Sequence, residues 1–94
     1  MTNLPALASA TMTDHAREQM IARGVMEKQV REVLAAPEAV LPVRPGRVVA
    51  QRIIARQDAD KPYLLRVFVD IDRSPAEVVT AYWTSRIEKY RTRP

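Results

Sequence analysis

Apolar residues near the N-terminus repeat with the spacing of a short amphipathic helix. Ala16 and Met20 lie four residues apart, so they would share one side of such a helix. Thr13 and Asp14 can each accept backbone N–H bonds as an N-cap, and Gly24 can adopt the left-handed conformation that ends a helix. The pattern predicts a first helix that begins at Thr13 or Asp14 and ends at Gly24.

A second stretch carries a cleaner apolar stripe. Its apolar residues fall at i, i+4, i+7 and i+8, and they are Met26, Val30, Val33 and Leu34. This spacing places all four on one helical face. Pro37 cannot continue a helix, so a second helix is predicted over about residues 26–36. Two short one-sided helices need a sheet to pack against.

β-Branched and aromatic residues dominate the rest of the chain in runs separated by short turns. The runs predict strands over residues 40–43, 47–56, 63–71 and 77–84. Pro42 confines the first of them to a sheet edge or a strand end. The connections are too short to hold a crossover helix, so neighbouring strands are expected to be antiparallel. The predicted fold is α+β, with two N-terminal helices packed on a three- or four-stranded antiparallel meander sheet.

The chain is long enough for one domain. Its 94 residues supply too little chain to close a second core. Residues 1–12 show no apolar period, so they are expected to form a mobile tail before a single α+β domain over residues 13–94. Hydrophobic residues make up 47% of the sequence and charged residues 28%, which is typical of a globular chain and not of a disordered one.

Alternation along the three longer strands predicts which side chains share a sheet face. Successive residues of a strand point to opposite sides, so every second residue shares a face. One face would then collect polar side chains from all three strands, namely Arg52, Arg56, Arg66, Thr80, Tyr82 and Thr84. The alternation predicts guanidiniums beside hydroxyls on that face, and it leaves the register between the strands open.

The positive charge of the chain is concentrated in two blocks. Fifteen basic and 11 acidic residues give a net charge of +4, and most of the basic residues are arginine. The surplus lies in residues 44–56 and residues 86–94, so it is expected on the sheet side and at the C-terminal tail. Arginine binds phosphate in a bidentate manner and stacks on bases, so these blocks suit an anionic partner such as RNA. A plain solvated surface is the alternative.

The composition also excludes several kinds of site. The chain has no cysteine and one histidine, which excludes disulfides, thiol catalysis and Cys- or His-based metal clusters within one chain. With two glycines it has no glycine-rich phosphate loop, so neither a metal nor another cofactor is predicted. The absence of cysteine fits a reducing cytoplasm. No apolar run is long enough for a membrane span and no secretory signal is expected, so a membrane partner is not predicted.

Four segments together resemble a known bacterial family. HAREQMIARGV, VREVLAAPEAV, LLRVFVD and VVTAYWTSRIEKY follow the order and spacing seen in domain-of-unknown-function family 4258. The resemblance spans about residues 14–90. Met26 is a departure, because such domains usually have a Ser, Thr or acidic helix cap at this position.

Domains of this family are similar in layout to the RelE/BrnT-like toxin group. Members of that group commonly cleave RNA without a metal and are neutralised by a partner antitoxin. The resemblance therefore implies a metal-independent endoribonuclease toxin of a toxin–antitoxin pair, with RNA and an antitoxin protein as candidate partners.

Such cleavage needs an acid/base group and cations that neutralise the phosphorane. The only side chain whose ordinary pKa lies near neutrality is that of His15. The candidate catalytic residues are His15, Arg66 and Tyr82. Arginines and lysine can hold phosphate, and Tyr82, Trp83 or Tyr90 can stack a base. The candidate nucleic-acid-binding residues are Arg23, Arg52, Arg56, Thr80, Lys89 and Tyr90.

Several candidates also have a structural explanation. His15 lies in the first helical turn, where it can bond to a carboxylate such as Glu18. Arg66 can be an exposed charge or can pair with Asp70. The basic run at residues 89–93 can form a frayed tail.

The remaining alternatives concern packing and the class of function. Arg23 can complement the helix C-terminal dipole, and Tyr63 and Trp83 are often packing residues. With no second unambiguous catalytic group and an exposed edge expected near Pro42, the second hypothesis is a non-enzymatic module that binds protein or RNA. The sequence leaves the oligomeric state open.

Overall fold

Three α-helices and five strands make up the part of the chain that the computed structural model describes, residues 7–56 and 59–91. A 3-10 turn at Leu7–Ser9 precedes them. No helix within these residues is long and apolar enough to cross a membrane. The elements are β1 (Thr11–Met12), α1 (Asp14–Ala22), α2 (Glu27–Ala35), β2 (Ala39–Arg44), β3 (Arg47–Ile54), β4 (Tyr63–Asp70), β5 (Glu77–Thr84) and α3 (Ile87–Tyr90).

Local hydrogen bonds explain where the two longer helices begin. Thr13 is the N-cap of α1, and its hydroxyl oxygen accepts the backbone N–H of Ala16 at 3.0 Å. Met26 is the N-cap of α2, and its side chain has no oxygen that could accept a backbone N–H. The side chain of Gln29 instead turns back and accepts the N–H of Met26 at 2.9 Å. Between the helices Gly24 has a φ of 68°, as expected for a glycine that ends a helix.

The α+β fold class is confirmed, but the sheet is mixed and five-stranded. Its strand order is β1-β5-β4-β3-β2. Strands β2 to β5 pair antiparallel with their neighbours, whereas β1 pairs parallel to β5. The sequence did not predict β1, because two residues are too few to show an alternating pattern.

The N-terminal segment differs from the mobile tail predicted over residues 1–12. Leu7, Ala10 and Met12 are buried in the core, and Thr11 donates its N–H to the carbonyl of Ala76 at 2.8 Å. This segment therefore extends both the sheet and the core. Residues 1–6 lie outside the described residues.

The core lies between one face of the sheet and helices α1 and α2. Each partner contributes small and branched apolar side chains that pack closely. The helices supply Ala16, Met20, Val30, Val33 and Leu34, and the sheet supplies mainly Ala50, Leu65, Val67, Val78 and Ala81. We call this side of the sheet the helix face and the other side the open face.

The strand register corrects the predicted polar face. Arg66 of β4 lies opposite Gln51 of β3 and Tyr82 of β5, and cross-strand partners share a face. Arg52 lies opposite the core residue Leu65 and is therefore on the helix face. Arg56, four residues further along, extends beyond the same face. The predicted grouping of Arg52 and Arg56 with Arg66 and Tyr82 was wrong, because the pairing differs by one residue from the one it required.

An ion pair joins β3 and β4 at one end of the sheet. The guanidinium of Arg47 donates to both carboxylate oxygens of Asp70, at 2.6 and 3.1 Å. The hydrogen bond from Arg47 is the main reason why the pKa of Asp70 is lowered from its ordinary value of 3.8. The pair therefore stabilises the fold only while Asp70 is ionised.

Arg31 on α2 fastens the N-terminal segment to the fold. Its guanidinium donates to the backbone carbonyls of Ala8 at 3.4 Å and of Ala10 at 2.5 Å. We expect Arg31→Ala to raise the exchange rate of the Thr11 amide about tenfold, because a lost charged hydrogen bond is worth about 1–3 kcal/mol. Hydrogen exchange measured by NMR tests this. Lys28→Ala, at an exposed position of the same helix, is the control, and an equal effect there would contradict the prediction.

Asp70→Asn should remove stability in a pH-dependent way. Because the folded-state pKa of Asp70 is depressed, its contribution is fully present above the ordinary pKa of 3.8 and is lost as the pH falls through the lower, folded-state value. At pH 7 the variant should lose about 1–2 kcal/mol of unfolding free energy. Plots of unfolding free energy against pH for the variant and the unaltered chain should converge below pH 3.8. Urea unfolding across pH measures this. Asp60→Asn, at an exposed position between β3 and β4, should show no such difference.

Candidate functional site

A row of polar side chains follows the side of α1 that faces β5. His15, Gln19 and Arg23 are spaced by four residues, so they lie one above another on the helix surface. The side-chain amide nitrogen of Gln19 lies 3.0 Å from Nε2 of His15, and its oxygen accepts the hydroxyl of Thr80 at 2.6 Å. Arg23 donates to the same hydroxyl at 2.7 Å and to the carbonyl of Ala81 at 3.3 Å.

These hydrogen bonds run in one direction. Arg23 donates to Thr80, Thr80 donates to Gln19, and the Gln19 amide donates to His15. An amide nitrogen can only donate, so Nε2 of His15 is the acceptor and the proton of the neutral ring is assigned to Nδ1. The network therefore links an exposed imidazole, through Gln19 and Thr80, to the guanidinium of Arg23.

Aromatic rings and a second guanidinium continue the row beyond Gly24. The indole Nε1 of Trp83 donates to the carbonyl of Gly24 at 3.1 Å. The guanidinium carbon of Arg56 lies 5.0 Å from the ring centre of Tyr63 and 5.2 Å from that of Trp83. The two rings meet edge to face, with their centres 6.5 Å apart. Both are partly buried, so each keeps some surface in contact with solvent.

Together these residues form one continuous surface, which we call the α1–β5 strip. Toward one end it presents an imidazole and a guanidinium, and at the other a guanidinium that packs over two aromatic rings. Such a surface can hold a phosphate and stack a base, and it offers one proton-transfer group. Its members are His15, Gln19, Arg23, Arg56, Tyr63, Thr80 and Trp83.

A second polar group lies in the middle of the open face. Arg66 is 1% exposed and Gln51 2% exposed, so both are buried. Nε of Arg66 donates to the side-chain oxygen of Gln51 at 3.0 Å, and one of its terminal nitrogens donates to the hydroxyl of Tyr82 at 2.6 Å. We call these three residues the Arg66 cluster.

The C-terminal helix α3 covers the Arg66 cluster. The side-chain amide of Gln51 donates to the backbone carbonyls of Tyr90 and Arg91, at 2.6 and 3.1 Å. The guanidinium carbon of Arg66 lies 4.4 Å from the ring centre of Tyr90. The prediction that residues 89–93 form a frayed tail was therefore wrong for residues 89–91, and residues 92 and 93 lie outside the described residues.

The structure divides the predicted site residues between two places. His15, Arg23, Arg56 and Thr80 meet in the α1–β5 strip, whereas Arg66, Tyr82 and Tyr90 meet on the open face. The two remaining candidates belong to neither group. Arg52 donates to the carbonyl of Ala36 at the end of α2, and Lys89 lies on α3 with its ammonium 5.2 Å from the Tyr90 ring. Within the described residues, Arg52 and Arg56 of the first basic block lie on the helix face, whereas Lys89 of the second block lies on α3 at the open face.

Sequence reasoning missed two glutamines that connect these groups. Gln19 has a detectable signal, because it lies four residues from both His15 and Arg23 on a predicted helix. Gln51 has none, since its place beside Arg66 depends on the register. Among the described residues, no group of three or more His, Asp or Glu side chains could hold a metal ion.

Comparison with known proteins places this arrangement in a family. The family model matches residues 12–83, which contain the whole α1–β5 strip and the Arg66 cluster but not α3. No curated protein and no solved structure gives a significant match to the chain. The match covers well over half of the chain, which therefore belongs to the family described as Domain of unknown function (DUF4258).

Proposed function

We propose that the chain binds single-stranded RNA through the α1–β5 strip. One observation carries the proposal: the guanidinium of Arg56 lies over the rings of both Tyr63 and Trp83, at 5.0 and 5.2 Å from their centres. Unpaired bases stack on aromatic rings and guanidinium planes, and this stacking is a main source of affinity for single strands.

Arg23 supplies the contact that the RNA backbone needs. Its hydrogen bonds go to the hydroxyl of Thr80 and the carbonyl of Ala81, which are neutral acceptors that fix its position and leave its charge in place. Gly24 follows Arg23 directly in the chain, and its carbonyl accepts the hydrogen bond from Trp83. The phosphate-binding and base-stacking groups are therefore adjacent. An RNA strand that crosses the α1–β5 strip would contact the guanidinium of Arg23 and then the ring of Trp83.

Binding of a labelled oligoribonucleotide, followed by fluorescence anisotropy at several salt concentrations, tests the proposal. Arg23→Gln should weaken binding across sequences and reduce the slope of log K against log salt by about 1, because one phosphate contact is lost. Arg44→Gln makes the same charge change at an exposed position of β2, at the far edge of the sheet, and is the control. Equal losses in both variants, or no binding by the unaltered chain, would contradict the proposal.

His15 favours a second candidate function, a metal-independent endoribonuclease of toxin type. Its ring is exposed, and Nε2 is held as an acceptor in the hydrogen-bond network that includes Arg23. For this reaction the Gln19 amide must release Nε2. His15 would then take the proton of a 2′-hydroxyl, and that oxygen would attack the phosphate bound by Arg23. The bond to the 5′-oxygen would break, and the protonated ring would return the proton to this leaving oxygen. Arg66 and Tyr82 lie on the other face, so this form of the reaction does not use them.

His15→Ala separates the two candidate functions. It should abolish cleavage of labelled RNA, with or without ribosomes, because it removes the acid/base group. RNA affinity should change by less than about twofold, since the cation and the rings remain. Intact RNA after incubation with the unaltered chain, together with normal growth on overproduction, would exclude the nuclease and leave the binding function. Copurification with the product of an adjacent short gene would support an antitoxin partner.

A further inference from the structure

The contacts between α3 and the Arg66 cluster are those of a receptor with a bound peptide. The cluster holds two main-chain carbonyls, those of Tyr90 and Arg91, through the amide of Gln51. It holds one side chain, the Tyr90 ring, through the guanidinium of Arg66. Any single helical turn with an aromatic residue in the same place can present these groups.

The helix itself has little stability of its own. It is four residues long, and its N-cap, Arg86, makes no side-chain capping bond. A single turn of helix does not form alone in water, because nucleation is unfavourable. Its conformation is therefore set by the site on which it is docked, and it belongs to the parts of a fold that open at low free energy.

A cavity beside α3 shows that this helix does not fill the site. The cavity has a volume of about 440 Å³ and lies along the open face next to Gln51. The sheet side contributes Glu38, Ala39, Gln51, Ile53 and Leu64 to its lining, and α3 with its C-cap contributes Ile87 and Arg91. A longer occupant could place a further apolar side chain there, and burial of that side chain would add affinity.

From these three observations we infer that the Arg66 cluster and its adjoining cavity form a peptide-binding site, occupied in cis by α3. The partner is a protein segment that presents an aromatic side chain and two main-chain carbonyls in one helical turn, with an apolar residue directed into the cavity. Binding exchanges this segment for α3. The inference is independent of RNA binding, since the α1–β5 strip lies on the other side of the sheet.

The test uses the full chain with a substitution that weakens the docking of α3 on the Arg66 cluster. In Tyr90→Ala, α3 keeps its carbonyls and loses the ring. A fluorescent peptide of residues 85–94 should bind this variant, and it should bind the unaltered chain at least about tenfold more weakly because the site there is already filled. The same peptide with Tyr90→Ala should also bind at least about tenfold more weakly, because it lacks the aromatic anchor.

Gln51→Glu, combined with Tyr90→Ala, is the matched control for the site. It keeps an oxygen that can accept from Arg66 but removes the two N–H donors that hold the peptide carbonyls, so peptide binding should fall at least about tenfold. Failure of the peptide to bind a cooperatively melting Tyr90→Ala chain would overturn the inference. Equal binding to the chain that also carries Gln51→Glu would overturn it too.

Hydrogen exchange on the unaltered chain provides a second measurement that needs no variant. The amide of Tyr90, which donates to the carbonyl of Arg86 at 3.4 Å, should exchange faster than those of β3, β4 and β5 and independently of them, because α3 must leave while the sheet stays folded. Exchange of α3 in step with the central strands would show that the helix is a fixed part of the fold, and would overturn the inference.

Discussion

Burial of the Arg66 guanidinium is the constraint on which the open face depends. A buried cation is costly unless hydrogen bonds replace its hydration. Gln51 and Tyr82 supply acceptors from the two neighbouring strands. Once the oxygen of Gln51 is used in this way, its amide hydrogens need acceptors as well, and the carbonyls at the end of α3 provide them. One buried charge thus accounts for the neighbouring side chains and for the position of the C-terminal segment.

The strand register decides which chemistry each side of the sheet can carry. Pairing of Gln51 with Arg66 sends Arg52 to the helix face and leaves Arg56 near the end of α1. A shift of one residue would have reversed these positions. The helix face therefore ends in an exposed surface with cations and rings, suited to a flexible polyanion. The open face holds a buried cation suited to a partner that brings its own acceptors.

The helices and strands with a clear hydrophobic period could be predicted from the sequence, and those without one could not. The stripe from Val30 to Leu34 and the alternating runs of β3 to β5 specify their own structures, because hydrophobic periodicity is a local property. Strand β1 and helix α3 have two and four residues, and each owes its conformation to contacts with distant parts of the chain. Alternation predicts that Arg66 and Tyr82 share a face, but their pairing depends on the register, as does that of Arg66 with Gln51. The separation of His15 from Arg66 and Tyr82 could not be predicted, since it depends on where α1 packs against β5.

The extent of the family match bears on the role of α3. The matched residues, 12–83, include Gln51, Arg66 and Tyr82 but end before α3 begins. The site residues thus lie within the matched range, whereas α3 lies outside it. Two glutamine N–H groups and a guanidinium recognise carbonyls and a ring, which are features of many peptides and not of one sequence. If α3 is exchanged as we propose, the residues that stay behind to hold the new partner are therefore those of the matched range.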